Sequence, residues 1–153
     1  MQRHELRGHL REALFIPSMK ATTKDQALEE LLDLFVAERY VRNKQLVLEM
    51  LRQREMLGST SLGKGVAVPH GRTTATADVI IAFGRSEKGV HFDASDEKPV
   101  TLFFMVIAPH NDEGNIYLPI LGSLVTILKD TKKRNALNKV TTFAELVALI
   151  DGE

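Results

Sequence analysis

The sequence predicts an α/β domain: a layered sandwich in which a mixed β-sheet carries helices on both faces. Three observations lead there. Amphipathic helical patterns fill the first third, apolar strand-like runs crowd the middle, and helical patterns return at the end. The strands lie too close together for a regular alternation of strand and helix, which points to a mixed sheet. With 153 residues and no repeat, low-complexity tract or long linker, residues 1–153 read as a single domain.

Residues 1–12 read as a short leading helix. His4 and His9 sit five apart on it, roughly 140° around the axis. They share no face for a metal and read as exposed polar residues. Leu14-Phe15-Ile16 reads as a short strand stopped at Pro17. Thr23 then offers an N-cap, with Gln26 as the reciprocal partner of a capping box. Leu28, Leu31, Leu32, Phe35 and Val36 follow at helical spacing, and that helix ends near Glu38 or Arg39. Asn43 caps a second helix bearing Leu46, Val47, Met50 and Leu51, which stops with Gly58 at C′. The two form a helical hairpin.

Val66-Ala67-Val68 is a short β-branched run stopped by Pro69. Val79 to Phe83 is a strong strand, and Gly89 to Asp93 a weaker one. Pro99 to Ile107 is almost continuously apolar and fits a central strand covered on both faces. After a polar loop at 109–115, residues 116–129 read as a helix with Pro119 confined to its first turn. Thr142 caps a last helix that buries Leu146, Val147 and Ile150 and ends at Gly152.

Composition narrows the functional classes. Lys+Arg and Asp+Glu balance at 20 each, so no basic field favours nucleic acid. There is no cysteine, which excludes disulfide scaffolds, thiolate metal sites and cysteine nucleophiles. No apolar run is long enough for a bilayer, and the first residues are charged and polar rather than signal-like. The expectation is a cytoplasmic protein that meets a membrane only through a partner.

The most informative stretch is Gly58 to Arg72, which presents His70 after an apolar run, between Pro69 and Gly71. Imidazole is a good nucleophile toward phosphorus and a good leaving group, and its pKa near 6.5 leaves much of it neutral at cellular pH. Gly63, Gly65 and Gly71 let backbone N–H groups approach an anion, and Ser59, Thr60 and Ser61 add hydroxyl donors. Arg54 offers a guanidinium for transition-state charge. The same residues also suit a plain turn after a strand, with Arg54 a solvated helix residue. A metal site built from His70, His91 and His110 has no compact ligand spacing, and no cofactor is expected.

Arg54-Glu55-X-X-Gly58-Ser59-Thr60, followed by Gly65-Val66-Ala67-Val68-Pro69-His70-Gly71, resembles a known pattern. It is that of the type 2 enzyme IIA domains of the bacterial phosphoenolpyruvate-dependent phosphotransferase system (PTS), the fructose–mannitol domains and the nitrogen-related IIA proteins. The resemblance runs from about Leu14 to Ile150 and is nearest to the nitrogen-related branch. It implies that His70 accepts a phosphoryl group, that Arg54 is the active-site arginine, and that HPr or a nitrogen-related HPr is the donor. It further implies delivery to a IIB component, or regulation through target proteins such as kinases and potassium-transport proteins.

The chain departs from that pattern where family members carry a second active-site histidine, in His-Leu-X-X-Leu. Here Tyr117-Leu118-Pro119-Ile120-Leu121 places a phenol instead. At the start of a helix, Tyr117 is still expected to border a phosphate that free N–H groups attract. Lys64 stands where sugar-type members have an acid and nitrogen-type members an asparagine, and is either a phosphate-site cation or a solvated turn residue. Two readings follow: a phosphocarrier, or a regulatory binding module that keeps the fold and transfers phosphate weakly because Tyr117 replaces the histidine.

Overall fold

A computed structural model describes residues 3–152, with a six-stranded mixed sheet at its centre. The chain opens with a short helix α1 (Arg3–Arg7) and then strand β1 (Leu10–Ile16). Helices α2 (Lys24–Ala37) and α3 (Lys44–Met56) follow as the expected hairpin. Strands β2 (Ser61–Gly63), β3 (Val66–Ala67) and β4 (His70–Thr73) lead to the long β5 (Ile80–Val90) and β6 (Val100–Pro109). Helices α4 (Tyr117–Leu128), α5 (Thr131–Leu137) and α6 (Phe143–Asp151) complete the fold.

The sheet order is β1-β5-β6-β3-β2, with β4 also paired to β6. β1 runs parallel to β5, β5 antiparallel to β6, and both β3 and β4 parallel to β6. β6 is therefore central, and its residues from Leu102 to Ala108 are fully buried, as its continuous apolar character requires. Alternation along β6 divides the core. Phe103, Met105 and Ile107 face α2 and α3, while Leu102, Phe104, Val106 and Ala108 face α4 and α6. Helices thus cover both faces.

The caps form as the sequence indicates. The Thr23 side chain accepts from the Gln26 N–H, and Asn43 from that of Leu46 at 3.1 Å. Thr142 and Glu145 make a full capping box. Gly58 takes the C′ position after α3 with φ 151°. The box at α2 is shifted by one residue, because Gln26 accepts from the Thr22 N–H at 3.0 Å rather than from Thr23.

Four expectations need correction. The leading helix ends at Arg7, and Leu10 onward belongs to β1. A register shift between Leu10 and Phe15 breaks the strand alternation that would have shown this. Residues 89–90 are the end of β5 rather than a separate strand, and His91 forms only an isolated bridge with Thr23. His70 does not sit in a turn after a strand: the chain resumes pairing there as β4. His9 is half-buried, its ring Nδ1 2.9 Å from the Val79 carbonyl, whereas the side chain of His4 lies outside the described residues.

Candidate functional site

Pro69 has no N–H to give to the sheet, but its carbonyl accepts from the Val106 N–H at 2.9 Å. That bond carries the chain past the proline, so His70 enters β4 opposite Val106. Alternation along β4 leaves His70 half-buried and Arg72 exposed on one face, with Gly71 and Thr73 buried on the other. The His70 Nδ1 lies 2.7 Å from the Val68 carbonyl oxygen. A carbonyl only accepts, so Nδ1 carries the ring proton and Nε2 keeps its lone pair. Burial holds the imidazole below its ordinary 6.5, and Arg54 adds to this, while the Val68 carbonyl and Glu55 act the other way. The ring is therefore held neutral, with Nε2 as its nucleophilic atom.

A buried network fixes Val68. Glu55 accepts from the Thr60 N–H at 3.0 Å and from the Thr60 hydroxyl. It also pairs with Lys24 Nζ at 3.1 Å. The Thr60 carbonyl then accepts from the Val68 N–H at 3.1 Å. Helix α3 thereby sets the peptide that orients His70. Glu55→Ala leaves two Thr60 donors without their acceptor and Lys24 with only its pairing to Asp93. It is expected to cost about 2–4 kcal/mol, read as a lower urea midpoint, and to loosen His70.

Arg54 Nη1 donates to the Gly58 carbonyl at 2.9 Å, which keeps the guanidinium at the end of α3, where its charge acts on both His70 and Tyr117. Tyr117 begins α4, 6 % exposed, with its ring 6.2 Å from the His70 ring. Burial raises its phenol to about 12, against the pull of Arg72 and Arg54, so it stays neutral. Arg72 Cζ lies 4.9 Å from the Tyr117 ring centre, in a cation–π contact. At the start of this helix the Tyr117 N–H is already taken, donating to Asp112 Oδ2 at 2.8 Å. Met56, Leu57 and Leu118, on the helix ends that carry Arg54 and Tyr117, are 84 %, 86 % and 66 % exposed.

The structure therefore brings His70, Arg54 and Tyr117 together and separates them from other expected residues. Gly65 accepts from the Thr101 and Leu102 N–H groups. Val106, the partner of His70, lies four residues further along β6, roughly 13 Å at about 3.3 Å per residue. Lys64 shares that distant end, in a β2–β3 turn with φ 57°, its N–H donating to Asp96 at 2.7 Å. Lys64 and Gly65 are thus turn residues away from His70. The Ser59 hydroxyl donates to the Phe92 carbonyl at 2.6 Å, and that of Ser61 to the Val66 carbonyl at 3.2 Å. Thr60 is committed to Glu55, and Gly71 is a packing position. His110 is exposed, and His91 pairs with Asp93. No group of three His, Cys, Asp or Glu among the described residues could hold a metal ion. Glu55, Asp112 and Arg72 went unread as site residues, although Arg72 stands two residues from His70, the spacing that shares a strand face.

Residues 9–152 match the family described as "Phosphoenolpyruvate-dependent sugar phosphotransferase system, EIIA 2". A nitrogen regulatory protein of Bradyrhizobium diazoefficiens is 34% identical over 137 residues, 88% of each chain. A PTS system fructose-specific EIIA component of Haloferax volcanii is 38% identical over 115 residues, 75% of this chain and 74% of that one. The crystal structure of nitrogen regulatory protein IIA-Ntr from Neisseria meningitidis superposes with TM-score 0.86 at 34% identity, covering 94% of this chain and 97% of the other. The described residues also contain no helix long and apolar enough to cross a membrane. This chain belongs to the EIIA type 2 family of the phosphoenolpyruvate-dependent phosphotransferase system.

Proposed function

We propose that the chain is a phosphocarrier of the cytoplasm. It takes a phosphoryl group on His70 from HPr or a nitrogen-related HPr, and uses it to charge a IIB component or to switch a regulatory target. One observation carries the reading: the Val68 carbonyl occupies Nδ1 and leaves Nε2 as a neutral nucleophile beside Arg54. In the step, the Nε2 lone pair forms a new N–P bond as the donor's own N–P bond breaks. That electron pair returns to the donor imidazole. The equatorial phosphoryl oxygens carry charge that a guanidinium stabilises. The exposed side chains of Met56, Leu57 and Leu118 offer an apolar rim on which a protein donor can seat. A phosphoryl group added there brings about −1.5 to −2 charges to that face, enough to alter binding of a target.

The contrasting reading, a binding module with weakened transfer, rests on Tyr117 alone. The described contacts of Tyr117 leave the Val68 bond and the Nε2 lone pair intact, so we prefer the carrier. The test is incubation with phosphoenolpyruvate, enzyme I and HPr, or the nitrogen-related pair. The expected product carries one acid-labile phosphate per chain. No label from either donor system overturns the proposal, and an acid-stable label moves the site to Tyr117.

A further inference from the structure

With Lys64 in a distant turn, Arg54 is the cation that the sequence pattern leaves near His70, and Tyr117 places a phenol where relatives carry a second imidazole. A phosphoryl group in transfer carries about two negative charges. A phenol held neutral supplies no positive charge, and Asp112 sets a carboxylate at the same helix end. Arg54 alone leaves the site short of positive charge.

The structure supplies it from an unassigned residue. We propose that Arg72, seated on the face of Tyr117, is the second cation of the phosphoryl site, and that Tyr117 acts as its positioning residue. This rests on the phosphocarrier reading. His70 and Arg72 alternate onto the same face of β4, with Cα atoms roughly 6.6 Å apart. Tyr117 touches both: its ring is 6.2 Å from the imidazole and 4.9 Å from the Arg72 Cζ. Arg72 therefore lies one ring away from the nucleophile. Its guanidinium makes no hydrogen bond or ion pair among the described residues, so its donors are available to phosphoryl oxygens. A planar guanidinium suits two oxygens at once and stays charged at every working pH. The ring below restricts the long side chain before the donor arrives, which lowers the entropy lost on engagement. Arg54 is tied to the Gly58 carbonyl and its charge already acts on His70, while Arg72 is seated on the Tyr117 ring that neighbours the imidazole. In the transfer, the new Nε2–P bond forms as the donor N–P bond breaks, and Arg72 meets the oxygens while the charge passes between them.

Single-turnover transfer from phosphorylated HPr, or from its nitrogen-related counterpart, tests this. Arg72 is exposed, so Arg72→Met is expected to fold with an unchanged urea midpoint. It should slow the transfer rate at saturating donor by about 10–100-fold, with half-saturation moved much less. Arg72→Lys should recover part of the rate. Tyr117→Phe keeps the ring that seats Arg72, so it should lose clearly less rate than Tyr117→Leu. Tyr117→Leu should slow transfer by about 3–10-fold, and that loss should vanish in the Arg72→Met background. Arg72→Met at the wild-type rate overturns the inference while the carrier reading stands. Tyr117→Phe as slow as Tyr117→Leu transfers the role to the phenol and overturns it also. A wild-type chain that takes no label overturns both.

Discussion

His70→Ala is expected to take no phosphate from the donor system that labels the wild-type chain, while its unfolding free energy in urea changes by less than about 1 kcal/mol. His70 is half-buried, held by one hydrogen bond to Val68 and a ring contact with Tyr117, so its loss removes chemistry more than structure. In the wild type, nitrogen NMR should report the tautomer with the proton on Nδ1, and phosphorylation should appear at Nε2. Attachment at Nδ1 would require breaking the 2.7 Å bond to Val68, and its observation would refute the assignment.

The pH dependence follows from the same ring. Arg54 and Glu55 on α3 act on His70 in opposite senses, the neutral Tyr117 ring lies beside it, and Arg72 and Asp112 are the charged groups next to that ring and its helix end. Because burial lowers the imidazole below 6.5, Nε2 is free across the neutral range. Transfer should be level from about pH 7 upward and fall as pH drops through the lowered value, when Nε2 takes a proton. The stability sign agrees: the unfolded ring binds its proton near 6.5 and the folded ring lower. Stability contributed by His70 is therefore present above about pH 6.5 and declines as pH falls through the folded value. A rate that rises on acidification would contradict the assignment.

Much of this architecture was legible because it depends on local rules. Thr23, Asn43 and Thr142 announce helix starts through side-chain oxygens that accept from the next turn. The apolar run of β6 announces a strand buried on both faces. Tertiary devices left weaker traces. Helix α5, Thr131 to Leu137, has no apolar periodicity to announce it. It is held by its Asp130 cap and by Arg134, which donates to the Leu128 and Lys129 carbonyls that end α4. No local pattern announces such a bond across a corner. Strand β4 was hidden by Pro69 and Gly71, both of which argue against a strand unless it lies at a sheet edge.

That missed strand also hid part of the site. Read as a turn, Pro69-His70-Gly71 gives no reason to place Arg72 beside His70; read as a strand, alternation does. Lys64 and Gly65 show the opposite relation, and Lys64 takes the turn position that its sequence reading kept open. They are near His70 in sequence, but β3 intervenes, and an extended chain carries them away along β6. Tyr117 was located correctly from its motif, since α4 begins there and the ring faces His70. Asp112 at the helix end was not legible, because it reaches Tyr117 through the fold of a polar loop.

Gly71→Ala should cost about 1–3 kcal/mol by overpacking, the larger end if Met50 cannot turn aside. A Cβ at this position would lie 2.0 Å from the Met50 Sδ and 2.6 Å from its Cε, well inside van der Waals contact. Met50 is the α3 side chain that closes over β4, so glycine here permits close packing of helix on strand. The thioether is flexible, which gives a specific test. Met50→Ala alone opens a gap, yet in Gly71→Ala it removes the obstruction, so the double variant should be more stable than the sum of the two single losses predicts. Urea unfolding of the four proteins measures that coupling, and strict additivity would show that Gly71 is not held by Met50. The same series separates packing from chemistry. If Gly71 acted by offering its backbone to phosphate, relieving the clash would restore stability without restoring the transfer rate. If it acts by seating α3, both should recover together, because α3 carries Arg54 and the Glu55 network that orients His70.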